Sequence, residues 1–215
     1  LPDCQSIVKK AVVERLAGAY GQKWFAEVGV KYQIEFFIFR DIAYLMIDTT
    51  GTPLHKRGYR PESGDAPLRE TLAAAMALNA RPRPDVLFWD PMCGSGTIAI
   101  EAAMILSNRA PGLGRDFAAE AFPQIAKSVW AEERAAADAA ILRDADYEVW
   151  ASDIDEHMLD VTYGNALRAG VEDHLRIFDA DVRKIEKPDR RGTIVCNPPY
   201  GERLMTPETV AVLYR

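Results

Sequence analysis

The sequence predicts an α/β protein whose larger part is a parallel sheet covered by helices on both faces. Short apolar runs alternate with helical periods through the second part of the chain, and polar residues follow the runs. Alternating strands and helices are typical of parallel sheets, because parallel neighbours need a crossover connection. The predicted strands are 86–89, 148–152, 175–178 and 193–196, and the predicted helices are 67–79, 96–108, 120–143 and 155–168 with Gly170 as a stop.

The amino-terminal 50 residues have a different pattern. Apolar residues recur at helical spacing from Ile7 to Leu16, and two alternating or apolar stretches follow at 32–39 and 43–47. Residues 49–65 are rich in Gly, Pro and Thr and have no hydrophobic period, which predicts a connector. We therefore expect a small α+β unit at 1–50, a linker at 51–65 and a second domain at 66–215. The first helix of that domain would begin at Pro67, with Asp65 or Ala66 near its cap.

The composition is that of an ordinary globular chain, with 48% hydrophobic and 27% charged residues. The densest apolar run, 36–39, is far shorter than the ~20 residues that cross a bilayer, so no membrane partner is expected. Cys4, Cys93 and Cys196 lie far apart and in no CxxC spacing. This argues against a disulfide framework or a metal site and favours a reducing, cytoplasmic location.

The net charge of −6 is unevenly distributed, with +3 on residues 1–61 and −9 on residues 62–215. Four basic residues cluster around Tyr59 in the connector, and such residues beside an aromatic ring suit contacts with RNA phosphates and bases. A solvated linker with an interdomain ion pair explains the cluster equally well. The residues are His55, Lys56, Arg57 and Arg60.

Ligands of parallel sheets bind at the carboxyl ends of the strands, where the sequence places Asp90, Asp153, Asp181 and Asn197. The first strand continues into DPMCGSGT, residues 90–97, whose glycines allow a sharp turn toward a helix amino end. A P-loop is excluded because this stretch has no Lys. A dinucleotide fingerprint fails because the acid expected ~20 residues later falls in a Gly/Pro loop, and the GxSxG spacing of a hydrolase is missing.

With these three motifs excluded, S-adenosylmethionine is a ligand that suits the Gly-rich loop and the strand-end acids. Its ammonium and sulfonium groups tolerate the Asp90 carboxylate, and its own carboxylate can meet N–H groups of the loop. We expect Asp153 to accept from the ribose hydroxyls and Asp181 to accept from the adenine amine. Either acid alone could be a helix cap, but their placement at successive strand ends favours the cofactor.

The tetrapeptide NPPY, residues 197–200, directly follows the apolar strand TIVC. Pro198 and Pro199 donate no N–H and hold the backbone extended, so this loop presents acceptors only. The Asn197 oxygen and the Pro198 carbonyl could hold both N–H bonds of an exocyclic amine, while Tyr200 stacks on the base. Alone, the tetrapeptide could simply end a strand. After a Gly-rich loop and two strand-end acids, it predicts a methyl-acceptor site.

Together these residues resemble the THUMP-domain class I methyltransferases that modify guanine in structured RNA. The resemblance is greatest to the bacterial branch that methylates guanine N2 in large-subunit ribosomal RNA. It is carried by LHKRGYR (54–60), APLRETLAAAM (66–76), DPMCGSGTIAIEAAM (90–104), NRAPGL (108–113), SDID (152–155) and NPPYGERL (197–204).

The resemblance implies a Rossmann-like methyltransferase sheet at 66–215, preceded at 1–50 by the carboxyl-terminal part of a THUMP domain, an RNA-binding module. The family's sheet has seven strands and only four are visible before Arg215, which predicts a fragment truncated after the NPPY motif. The implied cofactor-binding residues are Asp90, Gly94, Gly96, Asp153 and Asp181, with Pro91, Cys93 and Ser95 of the same loop. The implied acceptor-site residues are Asn197, Pro198, Pro199 and Tyr200.

The expected function is methyl transfer from S-adenosylmethionine to N2 of a guanine in ribosomal RNA. The acceptor nitrogen would attack the sulfonium methyl in line, so catalysis would be mainly positioning. A transfer RNA guanine methyltransferase and a DNA adenine methyltransferase remain alternatives, although the THUMP-like start disfavours DNA. A non-catalytic RNA-binding or assembly factor that kept the fold is the alternative outside the enzyme class.

Overall fold

The computed structural model describes residues 2–26, 28–61 and 68–199. The chain divides into two compact units, Leu1–Ile47 and Asp48–Arg215. The predicted cap at Asp65 or Ala66, the predicted helix start at Pro67 and the predicted stacking residue Tyr200 lie outside the described residues.

The described residues of the first unit form one helix and a hairpin, as the periodicity predicts. Helix α1 spans Pro2–Tyr20, and strands β1 and β2 span Gln33–Phe39 and Ile42–Asp48. Arg40 and Asp41 join the strands with φ angles of 48° and 60°. Positive φ at both central residues is the type I′ turn, whose twist matches that of a two-stranded antiparallel hairpin.

The described part of the second unit contains four strands, all paired in parallel. They are β3 (Leu87–Asp90), β4 (Val149–Asp153), β5 (Leu175–Asp179) and β6 (Gly192–Ile194), in the order β5-β4-β3-β6. Trp89 pairs with Trp150 on one side and with Ile194 on the other. This register brings the carboxyl ends of the strands to one edge, as the sequence predicts.

The helices of this unit follow the predicted order with shifted bounds. They are α2 (Glu70–Ala80), α3 (Thr97–Leu106), α4 (Lys127–Ala139) and α5 (Glu156–Ala169). The helix predicted at 120–143 is shorter because Pro123 follows a 3-10 turn at Ala118–Ala121 and cannot continue a helix. The cap position of α2 is Arg69 rather than Asp65 or Ala66, and α5 ends as predicted at Gly170, with φ 66°.

The core lies between α3 and one face of the sheet. Successive strand residues point to opposite faces, so Phe88, Val149 and Ala151 enter this core. Their neighbours Trp89, Trp150 and Phe178 line a cavity of about 300 Å³ with residues of the segment that follows β5. Helix α3 is buried along nearly its whole length, which fixes the loop that precedes it.

The first segment of the second unit, residues 48–60, is here named the connector. The Arg115 guanidinium donates to the carbonyl oxygens of Pro53 at 2.8 Å and Lys56 at 3.3 Å, and also to that of Thr52. The Ala119 N–H donates to the Thr49 oxygen at 3.0 Å. Residues 51–60 of the predicted linker thus lie in the second unit and are hydrogen-bonded to it.

Candidate active site

Three strand ends form the candidate site. Asp90 and Asp153 are the last residues of β3 and β4, and Asn197 stands three positions after β6. The Val195 N–H donates to the Trp89 oxygen at 3.0 Å, which extends the pairing with β3 beyond Ile194. The loop at 197–199 therefore leaves the sheet beside Asp90. The pKa of the Cys196 thiol is raised, mainly by burial and further by the negative charge of the Asp90 carboxylate, which agrees with a position close to Asp90.

Gly94 and Gly96, in the loop between β3 and α3 (residues 91–96), have different surroundings. Both have positive φ, 51° at Gly94 and 78° at Gly96. A Cβ at Gly96 would lie 2.6 Å from the Thr162 methyl group, so the loop can pack against α5 only with glycine there. A Cβ at Gly94 would meet nothing within 4 Å, so the space in front of this residue is open. We name residues 91–96 the cofactor loop.

Asp153 holds this loop in place. Its Oδ2 accepts from the Gly94 N–H at 2.8 Å, and its Oδ1 accepts from the Asp155 N–H at 3.1 Å. The cap of α5 is Asp155, whose carboxylate accepts from the His157 N–H. Asp153 is therefore not the helix cap, and its carboxylate stands at the rim of the open space in front of Gly94.

Asp90 is almost completely buried, with 1% of its surface exposed. Its Oδ1 accepts only a long hydrogen bond, 3.4 Å, from the Met92 N–H. Burial raises the pKa of this carboxyl to about 8, and the Asp153 carboxylate adds to the rise. Asp90 is thus largely neutral at pH 7, and an adjacent cation would favour its ionised form.

Asp181 lies past the end of β5 and caps the 3-10 turn Val182–Lys184. It accepts from the Arg183 N–H at 3.1 Å and from the Arg183 guanidinium at 2.8 and 2.7 Å. These bonds lower the pKa of Asp181 to about 2. A carboxylate has about four lone-pair sites, so an adenine amine could still donate to it, and that role stays a prediction.

These residues fit S-adenosylmethionine by the chemistry of their groups. Helix α3 begins after Gly96 without a side-chain cap, so its first-turn N–H groups can receive a carboxylate. Asp153 offers oxygens to hydroxyl groups, and Asp90 offers a carboxyl to an ammonium. Ile154, 65% exposed directly after Asp153, offers an apolar surface for a flat base. The sequence interpretation missed Ile154, although an apolar residue beside a strand-end acid is a usable signal.

The acceptor-site residues are described as far as Pro199. Asn197 is exposed, and Pro198 and Pro199 are partly buried. Among the described residues, the Asn197 amide forms no hydrogen bond, so both its oxygen and its nitrogen can meet a ligand.

Two of the four predicted RNA-binding residues form ion pairs and hydrogen bonds within the chain. The Arg57 guanidinium contacts Glu101 at 3.4 Å and the Leu54 oxygen at 3.0 Å. Arg60 pairs with Glu70 at 3.2 Å and donates to the Leu68 oxygen. Only 11% and 8% of these two side chains are exposed, so both guanidinium groups are engaged within the chain, and their predicted contact with RNA stays a prediction. Lys56 is exposed and His55 is partly exposed, and their predicted role stays a prediction.

Two buried side chains of α5 support the cofactor loop and were not found from the sequence. The Thr162 hydroxyl donates to the Gly94 oxygen at 2.8 Å, and the Asn165 amide donates to the Ser95 oxygen at 2.9 Å. Neither has a local sequence signal, because their partners lie about 70 residues earlier in the chain.

Within the described ranges, no group of three His, Cys, Asp or Glu could hold a metal ion, and no helix is long and apolar enough to cross a membrane.

Residues 57–215 match the UPF0020 family, the RMKL-like methyltransferase domain. The chain belongs to this family. The α/β methyltransferase fold, the methyltransferase class and S-adenosylmethionine as the cofactor of that class are thereby confirmed for this RMKL-like domain.

Two of the relatives match all or most of the chain. YpsC of Bacillus subtilis (strain 168), named a candidate RNA methyltransferase, is 43% identical over 217 residues, which are 100% of this chain and 56% of YpsC. The ribosomal RNA large subunit methyltransferase K/L of Vibrio campbellii is 44% identical over 181 residues, 81% of this chain and 26% of its own. The RMKL-like chain thus spans about half of YpsC and a quarter of K/L.

A solved structure supports the cofactor. SMU.472, described as a candidate methyltransferase, was crystallised with SAH, the product that S-adenosylmethionine leaves after methyl transfer. It is 39% identical, with a TM-score of 0.89, and the match covers 99% of this chain and 56% of that chain.

Proposed function

We propose that the protein containing this RMKL-like domain transfers a methyl group from S-adenosylmethionine to N2 of a guanine in ribosomal RNA. The observation that carries the proposal is the position of the loop at 197–199, which leaves the sheet beside Asp90 and the cofactor loop. The unengaged Asn197 amide, followed by two prolines that have no backbone N–H, would thus lie next to the proposed site of the methyl donor. An exocyclic amine is the acceptor that such a loop suits.

The cofactor supplies the activated methyl group, and residues of this chain would hold it. The first-turn N–H groups of α3 would receive its carboxylate, and Asp90 its ammonium. Asp153 would accept from the ribose hydroxyls, and Ile154 and Asp181 would meet the adenine. Because Asp153 also holds Gly94, it would couple the ribose to the loop that holds the amino-acid end.

The acceptor loop would act by positioning. The oxygens of Asn197 and Pro198 would hold the two hydrogens of the amine and aim the nitrogen lone pair at the methyl carbon. The same oxygens would stabilise the positive charge that the nitrogen gains as the new bond forms, a contact stronger in the transition state than before it. One proton then leaves the nitrogen, and no covalent bond to the protein is needed.

RNA as the substrate is supported by the printed names of YpsC and the K/L protein. We propose further that the first unit is the carboxyl-terminal part of a THUMP domain, and that exposed Lys56 contributes a phosphate contact. A cytoplasmic location accompanies this proposal. Transfer RNA guanine and DNA adenine are the rival acceptors, since both offer an exocyclic amine.

Nucleoside mass spectrometry tests the proposal. The full-length protein is incubated with S-adenosylmethionine carrying a labelled methyl group and, separately, with ribosomal RNA, transfer RNA and duplex DNA. We expect labelled N2-methylguanosine from ribosomal RNA, and the same nucleoside missing from a strain that lacks the gene. Label in DNA adenine would overturn the proposal, and SAH binding without label in any nucleic acid would indicate the non-catalytic factor.

A further inference from the structure

A chain of hydrogen bonds joins the connector to the cofactor loop through helix α5. The Arg168 guanidinium donates from Nε to the Tyr59 oxygen at 2.8 Å and from Nη2 to Asn165 Oδ1 at 2.7 Å. Asn165 in turn donates from Nδ2 to the Ser95 oxygen at 2.9 Å. Both functional atoms of this fully buried amide are engaged, so its orientation is fixed from the connector side.

A second contact reaches the other end of the loop. Arg60 donates from Nη1 to the Thr97 hydroxyl at 2.7 Å, and Thr97 is the residue directly after Gly96. The same guanidinium is held by the Leu68 oxygen and by Glu70. The connector therefore reaches Ser95 through Arg168 and Asn165 of α5, and it contacts Thr97 directly through Arg60.

The connector itself is fixed where these contacts start. The Tyr59 hydroxyl donates to Glu101 at 3.0 Å, and the neighbouring Arg57 pairs with the same carboxylate. Gly58, with φ 99°, lies so close to Gly114 that a Cβ would stand 2.2 Å from the Gly114 oxygen. A segment held this closely can transmit a displacement to whatever it supports.

We propose that Asn165 and Arg168 are positioning residues through which the connector sets the shape of the cofactor loop. The inference rests on the proposed cofactor role of that loop. A Gly-rich loop has many conformations, and ordering it during binding costs free energy. The Asn165 bond to Ser95 fixes one peptide plane of the turn beforehand, which lowers that cost.

The test compares full-length variants by SAH affinity in calorimetry and by amide hydrogen exchange of residues 94–97. Arg168→Lys keeps the positive charge but loses the guanidinium that bonds both the Tyr59 oxygen and Asn165. Because residue 168 is exposed, this variant is expected to fold. Asn165→Ala removes the bond to Ser95. Each is expected to weaken SAH binding about tenfold and to speed exchange in the loop.

Two further variants separate positioning from general stability. Tyr147→Phe removes a buried 3.0 Å bond to the Ala103 oxygen, away from the loop, and should lower the melting temperature without changing SAH affinity. Gly58→Ala displaces the connector and should weaken SAH binding although the residue lies outside the loop.

The outcomes are distinct. The inference would be overturned if Arg168→Lys and Asn165→Ala kept the SAH affinity and the loop hydrogen exchange of the parent. It would also be overturned if Tyr147→Phe lost as much SAH affinity as these two variants. Parental affinity in Gly58→Ala alone would overturn the role of the connector. If the parent protein binds no SAH, the proposed function fails, and hydrogen exchange in the loop still tests whether Asn165 and Arg168 position it.

Discussion

The Asp153 carboxylate accepts a 2.8 Å hydrogen bond from the Gly94 N–H, so the acid that ends β4 also holds the loop that follows β3. One residue thereby joins two neighbouring strand ends. Replacing it should affect the loop and any ligand of the loop together, which distinguishes Asp153 from an acid that only caps a helix.

Asp153→Ala should weaken S-adenosylmethionine binding by roughly 1 to 3 kcal/mol, because a charged acceptor is lost. Calorimetry measures the change directly. Asp155→Ala is the matched control, since it removes the cap of α5 two residues away and should lower thermal stability by about 1 kcal/mol with little change in affinity. Equal affinities for Asp153→Ala and the parent would remove Asp153 from the cofactor site.

Asp90 should make the stability of the ligand-free protein depend on pH. Its pKa is about 8 in the folded protein and 3.8 in an exposed carboxyl, so between these values the folded state keeps a proton that the unfolded state has released. The free energy of unfolding from this group therefore falls as pH rises from about 4 to 8, by up to a few kcal/mol. Asp90→Asn keeps a neutral side chain and should lack this fall.

Urea unfolding of the parent and Asp90→Asn at pH 5 and pH 8 measures this difference. The variant should gain stability relative to the parent at the higher pH. Parallel pH profiles would show that Asp90 titrates near its ordinary pKa, and the electrostatic description of this end of the sheet would be wrong.

Lys56 and Arg57, adjacent basic residues of the connector, should differ in what their replacement by alanine affects. Lys56→Ala in the full-length protein should weaken RNA binding and reduce its salt dependence by up to ~0.7 log units for a lost phosphate contact, without a loss of stability. Arg57→Ala leaves buried Glu101 without its cation and should cost about 3 to 5 kcal/mol of stability. Filter binding over a range of salt concentrations, with thermal melts, separates the two. An unchanged salt slope in Lys56→Ala would remove the connector from the RNA site.

The sheet could be predicted from sequence because each strand is a short apolar run that ends in a polar residue. The cofactor loop could be predicted because Gly94 and Gly96 are required by backbone geometry, which a sequence shows directly. The predicted strand-end acids Asp90 and Asp153 do lie at neighbouring ends of the sheet.

The functions of Arg57 and Arg60 could not be predicted in the same way. Whether a guanidinium faces solvent depends on acids such as Glu101, 44 residues away, and sequence spacing does not report such pairs. Asn165 was also missed, because a single polar residue in a helix is usually exposed and its partner Ser95 lies far away in the sequence. The connector was predicted as a linker because it is rich in Gly, Pro and Thr, whereas the Arg115 guanidinium donates hydrogen bonds to its backbone carbonyls.

The proposed acceptor site is tested most directly by comparing Asn197→Ala with the parent in S-adenosylmethionine binding and in methyl transfer to ribosomal RNA under single-turnover conditions. The Asn197 amide is proposed to hold the acceptor nitrogen while other residues hold the cofactor. We expect nearly parental cofactor affinity and a loss of at least ~100-fold in the rate of methyl transfer. Methyl transfer by Asn197→Ala at the parental rate would contradict the assignment of the acceptor site and, with it, the proposed mechanism.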